Sequence, residues 1–379
     1  MTLLVSYYCF AVGACPTLEG GMKRIAIWII GLVVVLVGLG FIGLRVPAVQ
    51  DALLDRVIEA RVNAPWAGAS NEDALQLIFC GTGSPMPDKT RGQACVAVIA
   101  GDRMFLVDTG SGAAETLAML GVPMDRLTGI LYTHFHSDHV SGLYDVTLQS
   151  WVAGRQGALG LYGPEGVGRL SAGFNEAYAL DRQYRTAHHS ADVMPPANGL
   201  VEPRIVSVNT DLDSTVVYDA DGLTITAFRV GHAPIDPAYG YRVDYKGRSA
   251  VFSGDTVKHP NMVRMGRDAD VMVHEALAMH MVSLLSDHVG VNRPRVGQIL
   301  RDTLNYHTSP VEAAEVANEA GAGLLVYSHI VPVLPNGIAE TVFLRGVSDV
   351  RPEGVMLGYD GLMVRLPVGS DDTQIADLN

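Results

Sequence analysis

Basic residues are scarce in this chain. Lys and Arg total 27 against 40 Asp and Glu, which gives a formal net charge of −13 and a pI near 5.3. No basic run occurs after residue 24, so a general grip on polyanions is not expected. Cysteine is scarcer still. Cys9, Cys15, Cys80 and Cys95 include no C-x-x-C pair, which argues against a thiolate zinc site. Cys80 and Cys95 can pair in an oxidising compartment or stay two small buried thiols, and both remain open. Internal repeats and low-complexity segments are absent, which excludes solenoid and fibrous classes. What is plentiful is apolar content, 48% of 379 residues, enough for a sizeable core in one large domain or two ordinary ones.

The longest uncharged run is Ile25–Leu44. As a helix this stretch spans roughly 30 Å, the hydrocarbon thickness of a bilayer, so a transmembrane helix is expected over 25–44. Lys23 and Arg24 precede it and Arg45 alone follows, which orients the chain with its amino terminus inside. No small-x-small cleavage site follows, and the run exceeds a usual signal core. The expectation is a retained signal-anchor with the remaining chain outside the cytoplasm, periplasmic in a Gram-negative cell. Secretion after cleavage is the alternative. Residues 1–24 read as a tail in which Met22 is a second candidate start. Residues 45–70 read as a linker around the amphipathic piece "DALLDRVIEARV". The folded domain is expected over 71–367, and 368–379 as a flexible polar tail.

Within 71–367, short apolar runs suited to strands recur: "LQLIFCG", "CVAVIA", "RMFLVDTG", "GILYTH", "LTITAFRV", "SAVFSGD", "DVMVHEA", "GLLVYSH". Helical stretches such as "GAAETLAML" and "SPVEAAEVANEAG" lie between them, the latter with Ser309-Pro310 at its start and Gly321 at its end. This alternation implies a layered α/β architecture. "YDG", between two apolar runs near the carboxyl end, reads as a hairpin turn. The insert 144–223 carries Trp151, Tyr162, Phe174, Tyr178 and Tyr184, which either wall a pocket or pack a helical cap.

One segment concentrates chemistry. In "GILYTHFHSDHVSGL", His134 and His136 leave an extended chain on one face, and Asp138 and His139 follow where the chain turns. Imidazole and carboxylate without thiolate suit zinc, manganese or iron. These residues alone leave a metal short of ligands. His232, Asp255, His329 and Asp108 each end an apolar run elsewhere and are candidates to complete the set. His188, His189, His280 and His288 lie outside such contexts and read as surface histidines.

The order "GTGSP", "VDTGSG", "THFHSDH", "GH", "SGDT", "SH" resembles the metallo-β-lactamase superfamily over roughly residues 75–365. "GTGSPMPDKTR", "LYGPEG", "AYGYRV" and "HEA" followed by "HTSPVEAAEVA" are most similar to its ribonuclease Z and arylsulfatase-type branch. The resemblance implies a four-layer αββα sandwich with two Zn2+ per subunit at one edge, or Mn2+ or Fe in their place. It assigns His134, His136 and His232 to a first metal and Asp138, His139 and His329 to a second. Asp255 would bridge them, and Asp108 would orient the cluster from behind. Two divalent ions about 3.5–4 Å apart repel, so a shared carboxylate and a shared hydroxide belong between them, and the hydroxide is the nucleophile. Asp138 and the pair Glu275–His307 complete the catalytic set, with His307 as proton donor held by Glu275. The alternative for His307 is a cap on the helix beginning at Ser309.

Transfer-RNA-processing members of that branch carry a long arm between the third histidine and the bridging aspartate. Here only "APIDPAYGYRVDYKGRSAVFSG" intervenes. The expectation is therefore a dinuclear zinc hydrolase of phosphodiester or sulfate ester bonds in small molecules, with no nucleic acid partner and a homodimer allowed. The alternatives are lactone or β-lactam ring opening at the same site, and a non-catalytic scaffold.

Overall fold

Alternation along the strands builds the core of the main unit. On β1 (Ala74–Gly81), Leu75, Leu77 and Phe79 face one way and Ile78 and Cys80 the other, and all are buried. A strand covered on both faces reads as a continuous apolar run, which is why the runs above gave no polar alternation. The computed structural model describes residues 18–63, 65–70, 72–208 and 213–379.

After β1 come β2 (Cys95–Ala100), β3 (Arg103–Val107), β4 (Leu127–Leu131), β5 (Leu159–Gly163), β6 (Val201–Ile205), β7 (Ser214–Ala220) and β8 (Leu223–His232). Then follow β9 (Ile235–Tyr245), β10 (Arg248–Phe252), β11 (Val271–Leu277), β12 (Leu324–Val331), β13 (Val355–Leu357), β14 (Leu362–Pro367) and β15 (Gln374–Asp377). They form an eight-stranded sheet, β15-β14-β1-β2-β3-β4-β5-β6, and a seven-stranded sheet, β13-β12-β11-β10-β9-β8-β7. Both are mixed: β3 to β6 and β10 to β13 run parallel to their neighbours, while β1–β2 and β8–β9 pair antiparallel.

Three apolar clusters define the layers. Leu75, Phe105, Tyr241 and Phe252 belong to the one between the sheets. A second lies between the eight-stranded sheet and helices Ala113–Met119, Leu143–Val152 and Val167–Ala177. The third lies between the other sheet and helices Pro260–Met265, Pro310–Ala320 and Gly337–Phe343. Helix Pro310–Ala320 shows the end signals read from its sequence. Ser309 and Glu312 form a reciprocal capping box, and Gly321 closes the helix at φ 69°.

Three expectations need revision. The compact main unit begins at Trp66 rather than near Asn71. The tail 368–379 contributes β15, paired antiparallel to β14, because its short polar strand completes a sheet edge that a local reading cannot see. "YDG" is not a hairpin: β13 and β14 belong to different sheets, and Asp360 anchors the crossing by accepting from Thr82 N–H (2.9 Å) and Gly92 N–H (2.5 Å). Of the aromatics in 144–223, whose role was left open, Tyr144, stacked on Tyr178 at 4.0 Å, Phe174 beside it and buried Trp151 pack a cap, whereas Tyr162 lies edge-on to Phe105 and Tyr184 is exposed. Cys80 and Cys95, left open above, are joined by a disulfide.

The amino-terminal unit, Met1–Pro65, contains helices Leu18–Gly43 and Pro47–Val62. The transmembrane expectation over 25–44 is not met among the described residues, where no helix is long and apolar enough to cross a membrane. The side chains of Leu39, Phe41 and Ile42 in that segment lie outside the described residues.

Candidate metal centre

Strand direction gathers the chemistry. β3 and β4 are parallel, as are β10, β11 and β12, and β8 shares their direction because β9 lies antiparallel between β8 and β10. Their carboxyl ends carry Asp108, His134–His139, Asp255, Glu275, His329 and His232, residues that are distant in the chain. Open α/β sheets commonly present reactive groups at this edge.

Local backbone finishes the aiming. Asp108 leaves β3 at φ 59°. In the β11–β12 ladder Glu275 pairs with Ser328 and Ala276 with Ile330, so His329 is the extra residue of a bulge, at φ 46°. A bulge of this kind redirects a side chain, and positive φ at a residue other than glycine marks a constrained site. Gly254 turns the chain before Asp255 at φ 58°. A Cβ there would meet Thr133 and the Tyr239 carbonyl at 2.8 Å, so no larger residue fits.

All the residues expected to form the centre converge. His134, His136, His232 and Asp255 bring donor atoms within 4.8 Å of one another, as do Asp138, His139 and His329, and Asp255, His307 and His329. Asp255 Oδ2 is common to both halves. It lies 3.8 Å from His134 Nε2 and 3.9 Å from His232 Nε2 on one side, and 3.4 Å from His139 Nε2 and 3.5 Å from His329 Nε2 on the other. His329 Nε2 is 3.1 Å from Asp138 Oδ2, and His134 Nε2 is 2.9 Å from His136 Nδ1. Ligands ~2.0–2.1 Å from a tetrahedral cation stand about 3.3 Å apart, so these separations fit one ion in each half.

Hydrogen bonds leave the right ring atoms free. His139 Nδ1–H donates to Asp108 Oδ2 (2.8 Å), and His232 Nδ1–H donates to the Tyr306 carbonyl (3.0 Å). His134 Nδ1–H donates to Thr133 Oγ1 (3.1 Å), whose hydroxyl donates to Asp108 Oδ2 (2.8 Å). Each of these imidazoles therefore keeps an Nε2 lone pair for the centre. Among the described residues, buried His139 Nε2 and Asp255 Oδ1 have no hydrogen-bond partner. That arrangement is costly in an empty protein interior and fits a cation site.

The electrostatics agree. Burial lowers the pKa of His134, helped by the imidazoles around it and opposed by Asp255. Burial likewise lowers His136 and His232, so all three favour the neutral form that can ligate. Burial acts against charge on Asp255 too, but His329, His139 and His134 outweigh it and hold the carboxyl well below its usual range. His139 is pushed the other way: burial lowers it, yet Asp255 and Asp108 raise it well above normal. The same carboxylates would favour a cation in place of that proton.

Beside the centre, Glu275 Oε1 accepts from His307 Nδ1–H (3.1 Å), Thr308 N–H (3.0 Å) and Thr256 N–H (3.2 Å). His307 does not cap the following helix, since Ser309 does that itself. Burial lowers the His307 pKa, but Glu275 and Asp255 overcome it and push it up to about 9. His188, His189, His280 and His288 are exposed and stand apart from the centre. Thr133, Thr308 and the Tyr306 carbonyl were not anticipated. Thr133 adjoins the histidine cluster in sequence, but only the fold reveals that it bridges Asp108 and His134.

Asp108 gives a direct test of this support. Asp108→Asn is expected to weaken metal affinity by about 10–100-fold, because one acceptor for two orienting hydrogen bonds loses its charge. Competition with a chelating dye measures it, and an unchanged affinity would contradict the role.

Comparisons with known proteins agree with the geometry. A family model described as a β-lactamase superfamily domain matches residues 103–330. Ribonuclease Z of Mycobacterium marinum is 35% identical over 266 residues, covering 69% of this chain and 88% of that protein. Human tRNase Z, short form, superposes with a TM-score of 0.55 at 22% identity, covering 77% of this chain and 99% of that one. Zn2+-bound PqqB from Methylobacterium extorquens superposes with a TM-score of 0.52 at 15% identity, covering 76% and 99%. This chain belongs to the metallo-β-lactamase superfamily and is a ribonuclease Z-like, metal-dependent hydrolase.

Proposed function

We propose that the protein hydrolyses phosphodiester bonds of small substrates at a dinuclear zinc centre. The observation that carries this reading is the single oxygen, Asp255 Oδ2, set between two groups of ligating atoms. His134, His136 and His232 would hold one ion, Asp138, His139 and His329 the other, with Asp255 shared. Bound there, the ions would lower the pKa of a coordinated water toward neutrality and offset charge developing on the phosphoryl oxygens. The chain does the rest. Asp108, Thr133 and the Tyr306 carbonyl keep the imidazoles in the ligating tautomer. His307, held by Glu275, is the proton donor to the leaving oxygen. Zinc is the metal favoured by the imidazole and carboxylate set, and it is the metal bound in the PqqB relative.

Small substrates are favoured by what joins the ligand strands. β8 and β9 are separated by Ala233 and Pro234, and β9 and β10 by Lys246 and Gly247, so no arm extends between His232 and Asp255. A second reading, RNA ends, is favoured by the 35% identity to a protein named ribonuclease Z. Bis-p-nitrophenyl phosphate, p-nitrophenyl sulfate, nitrocefin, an acyl-homoserine lactone and a precursor tRNA, assayed on one metal-reconstituted preparation, separate these. Turnover of the first is expected. Turnover of only nitrocefin or the lactone would reject the phosphodiester reading, and precursor tRNA as the far better substrate would select the second.

The proposal extends to location outside the cytoplasm. The Cys80–Cys95 disulfide supports it, because such bonds persist in oxidising compartments. Protease accessibility in spheroplasts checks this: digestion from outside is expected, and recovery as a soluble cytoplasmic protein with both thiols free would end it.

A further inference from the structure

Tyr306 has entered so far only through its backbone carbonyl. It lies in the turn between helices Pro294–Thr303 and Pro310–Ala320, directly before His307. Its ring meets His232 edge-on, with centroids 5.2 Å apart at 83°, and leans against His307 at 4.8 Å and 48°. It is thus wedged between a histidine of one ligand group and the proposed proton donor.

Exposure separates it from its neighbours. The groups near the His307 ring include Glu275, Asp255, His329, stacked on it at 5.6 Å, His232 and Tyr306. Glu275, His329, His232 and His307 itself are buried, whereas Tyr306 is partly exposed. A proton donor must approach the leaving oxygen within hydrogen-bond reach, directly or through one water. The group attached to that oxygen must then depart toward solvent, and Tyr306 is a partly exposed ring in contact with His307.

We propose that the Tyr306 ring forms the wall of the leaving-group subsite and selects substrates whose departing alcohol carries a flat group, an aryl ring or a nucleobase. An aromatic face attracts such groups by stacking with little regard to their identity, whereas a compact aliphatic group gains much less from it. Tyr306 acts on specificity and takes no part in proton transfer. The inference rests on the phosphodiester reading above, and its test keeps the two apart.

The test compares full-length, zinc-reconstituted protein with Tyr306→Leu and Tyr306→Phe on two diesters, methyl phenyl phosphate and methyl trifluoroethyl phosphate. The carbonyl that orients His232 is backbone and survives both substitutions. Tyr306→Leu is expected to lower kcat/KM for the phenyl diester roughly tenfold, mainly through KM. The trifluoroethyl diester should change by less than about twofold, with Tyr306→Phe close to the parent on both. Zinc content, measured alongside, should not change. Equal losses on the two diesters, no loss on either, or a loss that follows missing zinc would overturn the inference. A parent that cleaves neither diester instead fails the phosphodiester reading, and the inference with it.

Discussion

Replacing Asp255 with asparagine is expected to lower phosphodiester turnover by on the order of 10³-fold or more, about 4 kcal/mol of barrier. One oxygen of this carboxylate stands 3.4 to 3.9 Å from four imidazole nitrogens in both ligand groups. Two dications brought close together need negative charge between them, and asparagine supplies none. It also offers N–H groups where lone pairs are required. Metal analysis of the variant should find fewer than two ions per chain. Because Asp255 is buried among imidazoles rather than packed in the apolar core, the circular dichroism spectrum should stay that of the parent. Near-normal turnover with two ions retained would contradict the bridging role.

The second large effect depends on the leaving group. His307→Ala should reduce kcat about 10²–10⁴-fold for a dinucleoside monophosphate, whose alkoxide needs a proton as it departs. Bis-p-nitrophenyl phosphate should lose less than about tenfold, since p-nitrophenolate leaves unprotonated at neutral pH. Equal losses on both would remove His307 from proton donation. The pH dependence has a definite sign. Glu275 and Asp255 raise the His307 pKa against the effect of burial, to about 9, so the acid form persists at neutral pH and is lost as pH rises through its pKa. Bound cations pull that alkaline limb lower. Glu275→Gln removes the principal counter-charge and should move the limb to lower pH again, a shift read from the kcat profile on the alkoxide substrate.

Much of the centre was legible because its chemistry is local or sits at strand ends. His134, His136, Asp138 and His139 occur in one segment, and His232, Asp255 and His329 each follow an apolar run that can only be a strand. What escaped depends on partners distant in the chain. Whether Cys80 meets Cys95 is decided by the register of β1 on β2, where a bulge between Phe79 and Gly81 sets Gly81 opposite Cys95. The "YDG" turn has the local pattern of a hairpin, but β13 pairs with β12 and β14 with β1, so the turn crosses between sheets. The polar segment 374–377 has little strand character of its own and is ordered by the ladder with β14. Tyr306 resembles any tyrosine in a helix-linking turn until His232 and His307 are seen on either side of it.

The connections between β8, β9 and β10 are two residues each, Ala233–Pro234 and Lys246–Gly247. On the proposed reading, specificity comes from the rim, where Tyr306 is a partly exposed ring against His307.

The most direct test of the account is zinc titration into metal-free, full-length protein, with bound metal and diester turnover followed together. Two tightly held ions per chain, with turnover rising as the second is taken up, is the expected result. Fewer than one tightly held ion, or full turnover with a single ion, would contradict a centre built around the shared oxygen of Asp255.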